Sequence, residues 1–165
     1  MNATASGANP YAPPKAKVTD VAAEGAAQPI WNPNAAASWS LLFSPAFGSF
    51  LQMLNWRALG ESQKADDARG WFIVSLAMLA VYVLVGAFAA DAQAADAISR
   101  AVGVAFLLVW YFAAGKQQAK YVKERWGKDY PRRGWGKPIL IAIGAFVGYF
   151  LIAVLIGVAI GLARA

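Results

Sequence analysis

A chain of 165 residues that is 59% hydrophobic carries more apolar surface than a water-soluble domain, in which roughly 45–50% of residues are apolar even with glycine counted. It contains no cysteine and no histidine, which excludes disulfides, thiol chemistry, cysteine lipidation and the commonest zinc-ligand sets. The net charge of +6 is local: Lys116, Lys120, Lys123, Arg125, Lys128, Arg132, Arg133 and Lys137 are opposed only by Glu124 and Asp129, and the rest of the chain sums to zero.

In chain order, residues 1–35 come first, rich in Ala, Pro, Asn and Gly and poor in residues that could build a core. The run Asn9-Pro10-Tyr11-Ala12-Pro13-Pro14 favours polyproline II or turn geometry over helix. The stretch therefore reads as a disordered tail, with a docking peptide for a proline-reading partner as the alternative. It lacks the basic start and apolar core of a secretory signal.

Residues 36–54 carry no charge, but Ser38, Ser40, Ser44, Ser49 and Gln52 make them the most polar of the uncharged stretches. Pro45 removes a backbone donor near the middle. A kinked span, a re-entrant half-helix and an interfacial helix all fit. The reading adopted is a span kinked at Pro45, the freed backbone groups being satisfied by serine hydroxyls or neighbouring helices.

Three longer uncharged stretches follow, from Gly70 to Ala90, Ala101 to Gly115 and Pro138 to Ala163. A helix rises ~1.5 Å per residue, so about 20 residues cross a hydrocarbon core of ~30 Å. The first and third are long enough. The second becomes so over 97–115, with Ala97 and Ile98 added and Arg100 snorkelling to the headgroups. The tight link from Asp91 to Asp96 makes the first two a helical hairpin.

The loop 116–137 holds the eight cations. Its first half, Lys116 to Trp126, can continue the preceding helix, with Ala119, Val122 and Trp126 along one face. Such a helix can lie on an anionic leaflet, where each basic residue near the surface contributes ~1 kcal/mol. Tyr130-Pro131 and Gly134-Trp135-Gly136 turn the chain, and Pro138 opens the last span, where its missing N–H costs nothing. The cations read as a topology determinant resting on lipid headgroups, with a site for a phosphorylated ligand or acidic partner as the sharper alternative. Nucleic acid is excluded as a partner because no folded module surrounds Trp126, Tyr130 and Trp135.

Basic residues in short loops stay cytoplasmic. The loop 116–137 is therefore expected inside, with Arg57, Lys64 and Arg69, and the link 91–96 outside. Trp56, Trp71, Trp110, Trp126 and Trp135 fall near that inner interface as anchors. The C-terminus is expected outside, and so is the tail if 36–54 spans. Within the last stretch, Gly144/Gly148 and Gly157/Gly161 form two small-xxx-small pairs on roughly opposite faces, suited to helix packing.

None of the three longer stretches has an ionisable residue in its interior, which argues against proton-coupled transport, leaving Ser75, Tyr82 and Tyr149 as uncharged polar groups. Asp66 and Asp67 read as solvated beside Arg69. Asp91 and Asp96 can pair or meet Arg100, but nothing nearby supplies a nucleophile or a metal cage. No phosphate-binding Gly-rich loop, zinc-protease motif or nucleophile elbow is present.

Several patches carry a resemblance: Asn9-Pro-Tyr-Ala-Pro-Pro14, Ser44-Pro-Ala-Phe-Gly48, Asn55-Trp-Arg-Ala-Leu-Gly60, and Tyr121 to Gly127 with Tyr130 and Trp135. Together they resemble a group of small uncharacterised bacterial inner-membrane proteins, in which a hydrophobic segment is followed by an Asn-Trp-Arg-Arg-Leu-Gly-like hexapeptide. Ala58 stands here in place of the second arginine. The resemblance implies that 36–54 is a membrane segment in a bacterial inner membrane, and it implies no activity.

The expected architecture is an all-α, polytopic membrane helical bundle with four membrane segments, about 36–54, 70–90, 97–115 and 138–163, behind the tail. The expected function is non-enzymatic, that of an interaction or accessory protein without cofactor or metal. It would contact membrane lipids and a protein partner or a second copy of itself. A small oligomeric transporter or channel subunit is the alternative. A membrane enzyme acting on lipid, holding a phosphate with Arg132 and Arg133, is a third.

Overall fold

The computed structural model describes residues 28–164, so the expected tail over 1–27 lies outside them. The described elements are α1 (Pro33–Phe43), α2 (Pro45–Ala58), α3 (Ser62–Phe88), α4 (Ala92–Trp110), α5 (Lys116–Trp126) and α6 (Gly136–Arg164), with a π-helical turn at Tyr111–Gly115 joining α4 to α5. Among the described residues, the one extended pairing outside the helices is a parallel bridge between Ile30 and Arg132.

Three helical rods are long and apolar enough to cross a membrane: α3 with 27 residues, the run Ala92–Trp126 with 35, and α6 with 29. Each exceeds the ~20 residues that a ~30 Å hydrocarbon core requires. The chain thus has the build of a multi-pass membrane protein; the stretches 97–115 and 138–163 fall within these rods, and 70–90 overruns α3 by two residues. Asp91 caps α4, its carboxylate accepting from the Gln93 N–H (2.9 Å) and the Ala94 N–H (3.0 Å), so the link between α3 and α4 is shorter than expected. Asp96 meets Arg100 at 2.8 Å, an exposed pair.

Residues 36–54 do not form the expected kinked span. Asn32 caps α1, accepting from the Asn34 N–H (3.0 Å) and the Ala35 N–H (3.4 Å), with Pro33 supplying a first turn that needs no donor. The helix stops at Ser44, whose φ of 96° is outside the helical region. Proline disfavours the α conformation in the residue before it, and Pro45 then opens α2. With 11 and 14 residues, α1 and α2 reach only ~16 Å and ~21 Å, so neither crosses alone.

The two instead fold back on each other. A Cβ on Gly48 would lie 2.6 Å from the Trp110 ring and would overlap the Ser40 hydroxyl, so α1 and α2 meet there with no room for a side chain. At the open end of this hairpin, Trp31 beside α1 is hydrogen-bonded to Asn55 of α2. The segment therefore enters and leaves at one end of the molecule, the end that carries the loop 116–137.

The tightest packing is at that same end, where Met53 and Trp56 of α2 pack on Ala65 and Ala68 of α3, with Phe50, Leu54, Leu59 and Tyr121 around them. Beyond it the long helices expose Val, Leu, Ile and Phe along their flanks. In lipid this is the stable arrangement, because hydrocarbon is as apolar as those side chains and exerts no drive to bury them.

Candidate interaction surface at the basic end

An amide network holds the basic end together. The Asn55 amide donates to Gln118 Oε1 (2.8 Å) and to the Trp31 carbonyl (2.9 Å), while its oxygen accepts from the Trp31 N–H (3.0 Å). Gln118 donates to the Gln52 carbonyl (3.0 Å). Gln52 in turn donates to the Gly115 carbonyl (3.2 Å) in the π turn. Asn55, Gln118 and Gln52 are buried, so the bonds among them and to Gly115 are made out of water, where leaving one of these groups unpaired would cost about 1–3 kcal/mol, while those to Trp31 are partly buried.

Beside it, Trp110 is fully buried and donates its indole N–H to the Ser49 hydroxyl at 2.7 Å. Trp110 and Trp56 therefore face protein and not headgroups, a correction to their expected role as anchors. The other three remain half-buried at this end: Trp71 against Phe106, Trp126 beside Tyr121, and Trp135 against Trp39. Sequence reading missed Trp31, Asn55 and Gln118 altogether. The spacing of Ser49, Gln52 and Asn55, which places three polar groups on one face of a helix, is the signal that points to the network.

The loop is fastened to the hairpin by main-chain bonds. The Ile30 N–H donates to the Pro131 carbonyl (3.2 Å), and the Arg133 N–H to the Ile30 carbonyl (2.9 Å). The Trp31 indole N–H donates to the Gly134 carbonyl (3.0 Å), and the Arg133 guanidinium lies over its ring at 4.9 Å. Ile30 is buried, so order begins before residue 35, inside the expected tail.

All eight cations of 116–137 are exposed, but they divide by what they touch. Arg125 meets Glu61 at 3.4 Å and the Tyr121 hydroxyl, while Glu61 also bonds Lys64 (3.0 Å) and Tyr121. These contacts tie α5 to the start of α3. Lys116 lies over the rings of Tyr111 and Phe112 (5.1 and 4.2 Å), and Arg132 over Tyr130 (5.2 Å). Lys120 and Glu124 are 3.9 Å apart and both strongly exposed, a contact worth little in solvent. Lys123, Lys128 and Lys137 point outward. The buried face of α5 presents Gln118 and Val122, and it packs on the hairpin, where a lipid-facing apolar stripe was expected.

The last helix differs from its expected role too. Nothing lies within 4 Å of where a Cβ would stand at Gly144, Gly148, Gly157 or Gly161, so these pairs make no close helix contact within the described residues. A polar cleft of ≈ 560 Å³ runs beside the network, lined by residues including Lys64, Asp66, Asp67 and Gln117. Among the described residues no cluster of three or more acidic, His or Cys side chains could hold a metal ion.

The chain was compared with protein-family models, with curated proteins and with solved structures, and it matches none of them.

Proposed function

We propose that this chain is a non-enzymatic interaction or accessory protein of a bacterial inner membrane, its basic end cytoplasmic and in contact with anionic headgroups or an acidic partner. The observation that carries this reading is the division among the cations: some brace the fold, while Lys123, Lys128 and Lys137 stand outward at the end where the amide network ties α5 to the hairpin. A cationic surface at the headgroup level gains ~1 kcal/mol per basic residue from an anionic leaflet.

Two measurements test it. In vesicles of phosphatidylcholine with a minor share of phosphatidylglycerol, spin-labelled phosphatidylglycerol should associate with the protein several-fold more than spin-labelled phosphatidylcholine. Lys123→Glu with Lys128→Glu should remove most of that preference. Equal association of both lipids with the unaltered protein would overturn the headgroup reading.

The side of the membrane is tested by labelling. The chain has no cysteine, so single cysteines report without background. Gln28→Cys and Lys128→Cys should both react with an impermeant maleimide from the cytoplasmic side, and Ala94→Cys from the other. This differs from the outside tail that a spanning 36–54 requires. Opposite labelling of Gln28→Cys and Lys128→Cys would show that the hairpin crosses after all.

The transporter or channel reading needs several copies, and the open glycine pairs of α6 are the feature that favours it. Mass determination in native-like membranes separates the two: a strict monomer counts against a pore.

A further inference from the structure

Below the hairpin the three long helices leave an apolar cleft of ≈ 850 Å³. The hairpin tip lines part of it, and there Leu41 and Leu42 are 70% and 66% exposed. Its walls run on α3 from Phe72 to Leu84 and on α6 from Ile141 to Ile156. Those lengths correspond to ~18 Å and ~22 Å of helix, somewhat more than the ~15 Å depth of hydrocarbon in one leaflet.

Three of the polar groups along these walls are already occupied. Ser40 donates to the Ala36 carbonyl (2.9 Å), Ser75 to the Trp71 carbonyl (2.7 Å) and Tyr149 to the Leu79 carbonyl (3.2 Å). The Tyr82 hydroxyl is buried in the wall without a partner. The cleft thus offers hydrocarbon and one buried, unpaired hydroxyl, and no charged group among its lining residues, which suits a chain and not a headgroup.

Just above it the chemistry reverses. Arg69 on α3 and Lys137 on α6 precede the first lining residues of their helices by one turn, both are exposed, and neither is in an ion pair among the described residues. A second copy of the chain is the poorer occupant. Copies in one membrane share one orientation, so their basic ends would be brought side by side, where like charges repel.

We infer that this cleft holds an acyl chain of an anionic phospholipid from the basic-side leaflet, with Arg69 and Lys137 at its phosphate. The inference rests on the anionic-headgroup reading above and adds a defined site to it. The occupant is a membrane phospholipid, and the cleft determines where its chain lies.

The test uses the full chain in phosphatidylcholine vesicles containing phosphatidylglycerol with a photoactivatable group near the end of one acyl chain. Crosslinks should map to Leu76–Leu84 of α3 and Ala145–Ile152 of α6. Unlabelled phosphatidylglycerol should compete them away, and added phosphatidylcholine should not. Arg69→Ala and Lys137→Ala should each weaken this competition about fivefold. Ala145→Phe, which fills the cleft from α6, should abolish the crosslinks while the larger part of the phosphatidylglycerol preference, carried by the basic surface, remains. A disulfide between Ile30→Cys and Arg132→Cys, formed where the segment before α1 is fastened to the loop, verifies that the variants are folded.

If phosphatidylglycerol is preferred overall but the crosslinks fall outside the cleft, the cleft site is overturned and the basic-surface reading stands. Equal competition by phosphatidylcholine overturns the roles of Arg69 and Lys137. Crosslinks from one copy of the protein to another replace the lipid with a second chain.

Discussion

Gly48→Ala is expected to open the helical hairpin. The added Cβ would stand 2.6 Å from Trp110 Cη2 and 2.7 Å from its Cζ2, and it would also strike the Ser40 hydroxyl. None of these neighbours is the loose end of a flexible chain. Trp110 is fully buried and its indole is held by Ser49, and Ser40 belongs to the facing helix and is bonded to its own backbone. Overpacking of this kind costs about 1–3 kcal/mol and at times more, and here it acts where α1 and α2 meet with no room for a side chain. The check is the disulfide between Ile30→Cys and Arg132→Cys. It should form quickly in membranes on the unaltered hairpin and slowly or not at all beside Gly48→Ala. Undiminished crosslinking would mean that Gly48 is not the point of closure.

Asn55→Leu carries the other large effect, since it strands the Trp31 N–H, the Trp31 carbonyl and Gln118 Oε1 together. Each buried group left unpaired costs about 1–3 kcal/mol, although Trp31 is only half-buried and water can recover part of that. A loss of about 3 kcal/mol is expected in thermal unfolding followed in detergent, together with early detachment of the segment before α1. Gln118→Leu alone should cost less, because it leaves the bonds between Asn55 and Trp31 in place. The two changes share one network, so the double variant should lose clearly less than the sum of the single ones. Additive losses would show that the amides act independently.

The contrast between the three long rods and the hairpin shows what could be read in advance. The first and third rods follow from uncharged runs of sufficient length, and the middle one from a shorter run extended past Arg100, because an ionised side chain in hydrocarbon is costly wherever the rest of the chain lies. The concentration of cations in 116–137 follows in the same way. Residues 36–54 are equally uncharged and nearly as long, yet they hold two short helices. Ser44 and Pro45 permit a break, but local sequence does not set its angle, and a slight kink and a full reversal use the same residues. The reversal depends on contacts with distant parts of the chain, Gly48 with Trp110 and Asn55 with Gln118.

Tryptophan illustrates the same limit within the candidate surface. An indole is suited to headgroups and to a protein interior with one acceptor, and position near a span end does not separate them. Ser49 supplies the acceptor that takes Trp110 inward, whereas Trp135 stays half-buried against the tilted ring of Trp39. The sequence by itself determined which stretches can reside in lipid and at which end the charge lies, since both depend on the solvation of each residue alone. The tertiary structure decided that 36–54 turns back, which tryptophans are core, and that Ile30 and Trp31 are fastened to the loop, since each requires a partner far along the chain.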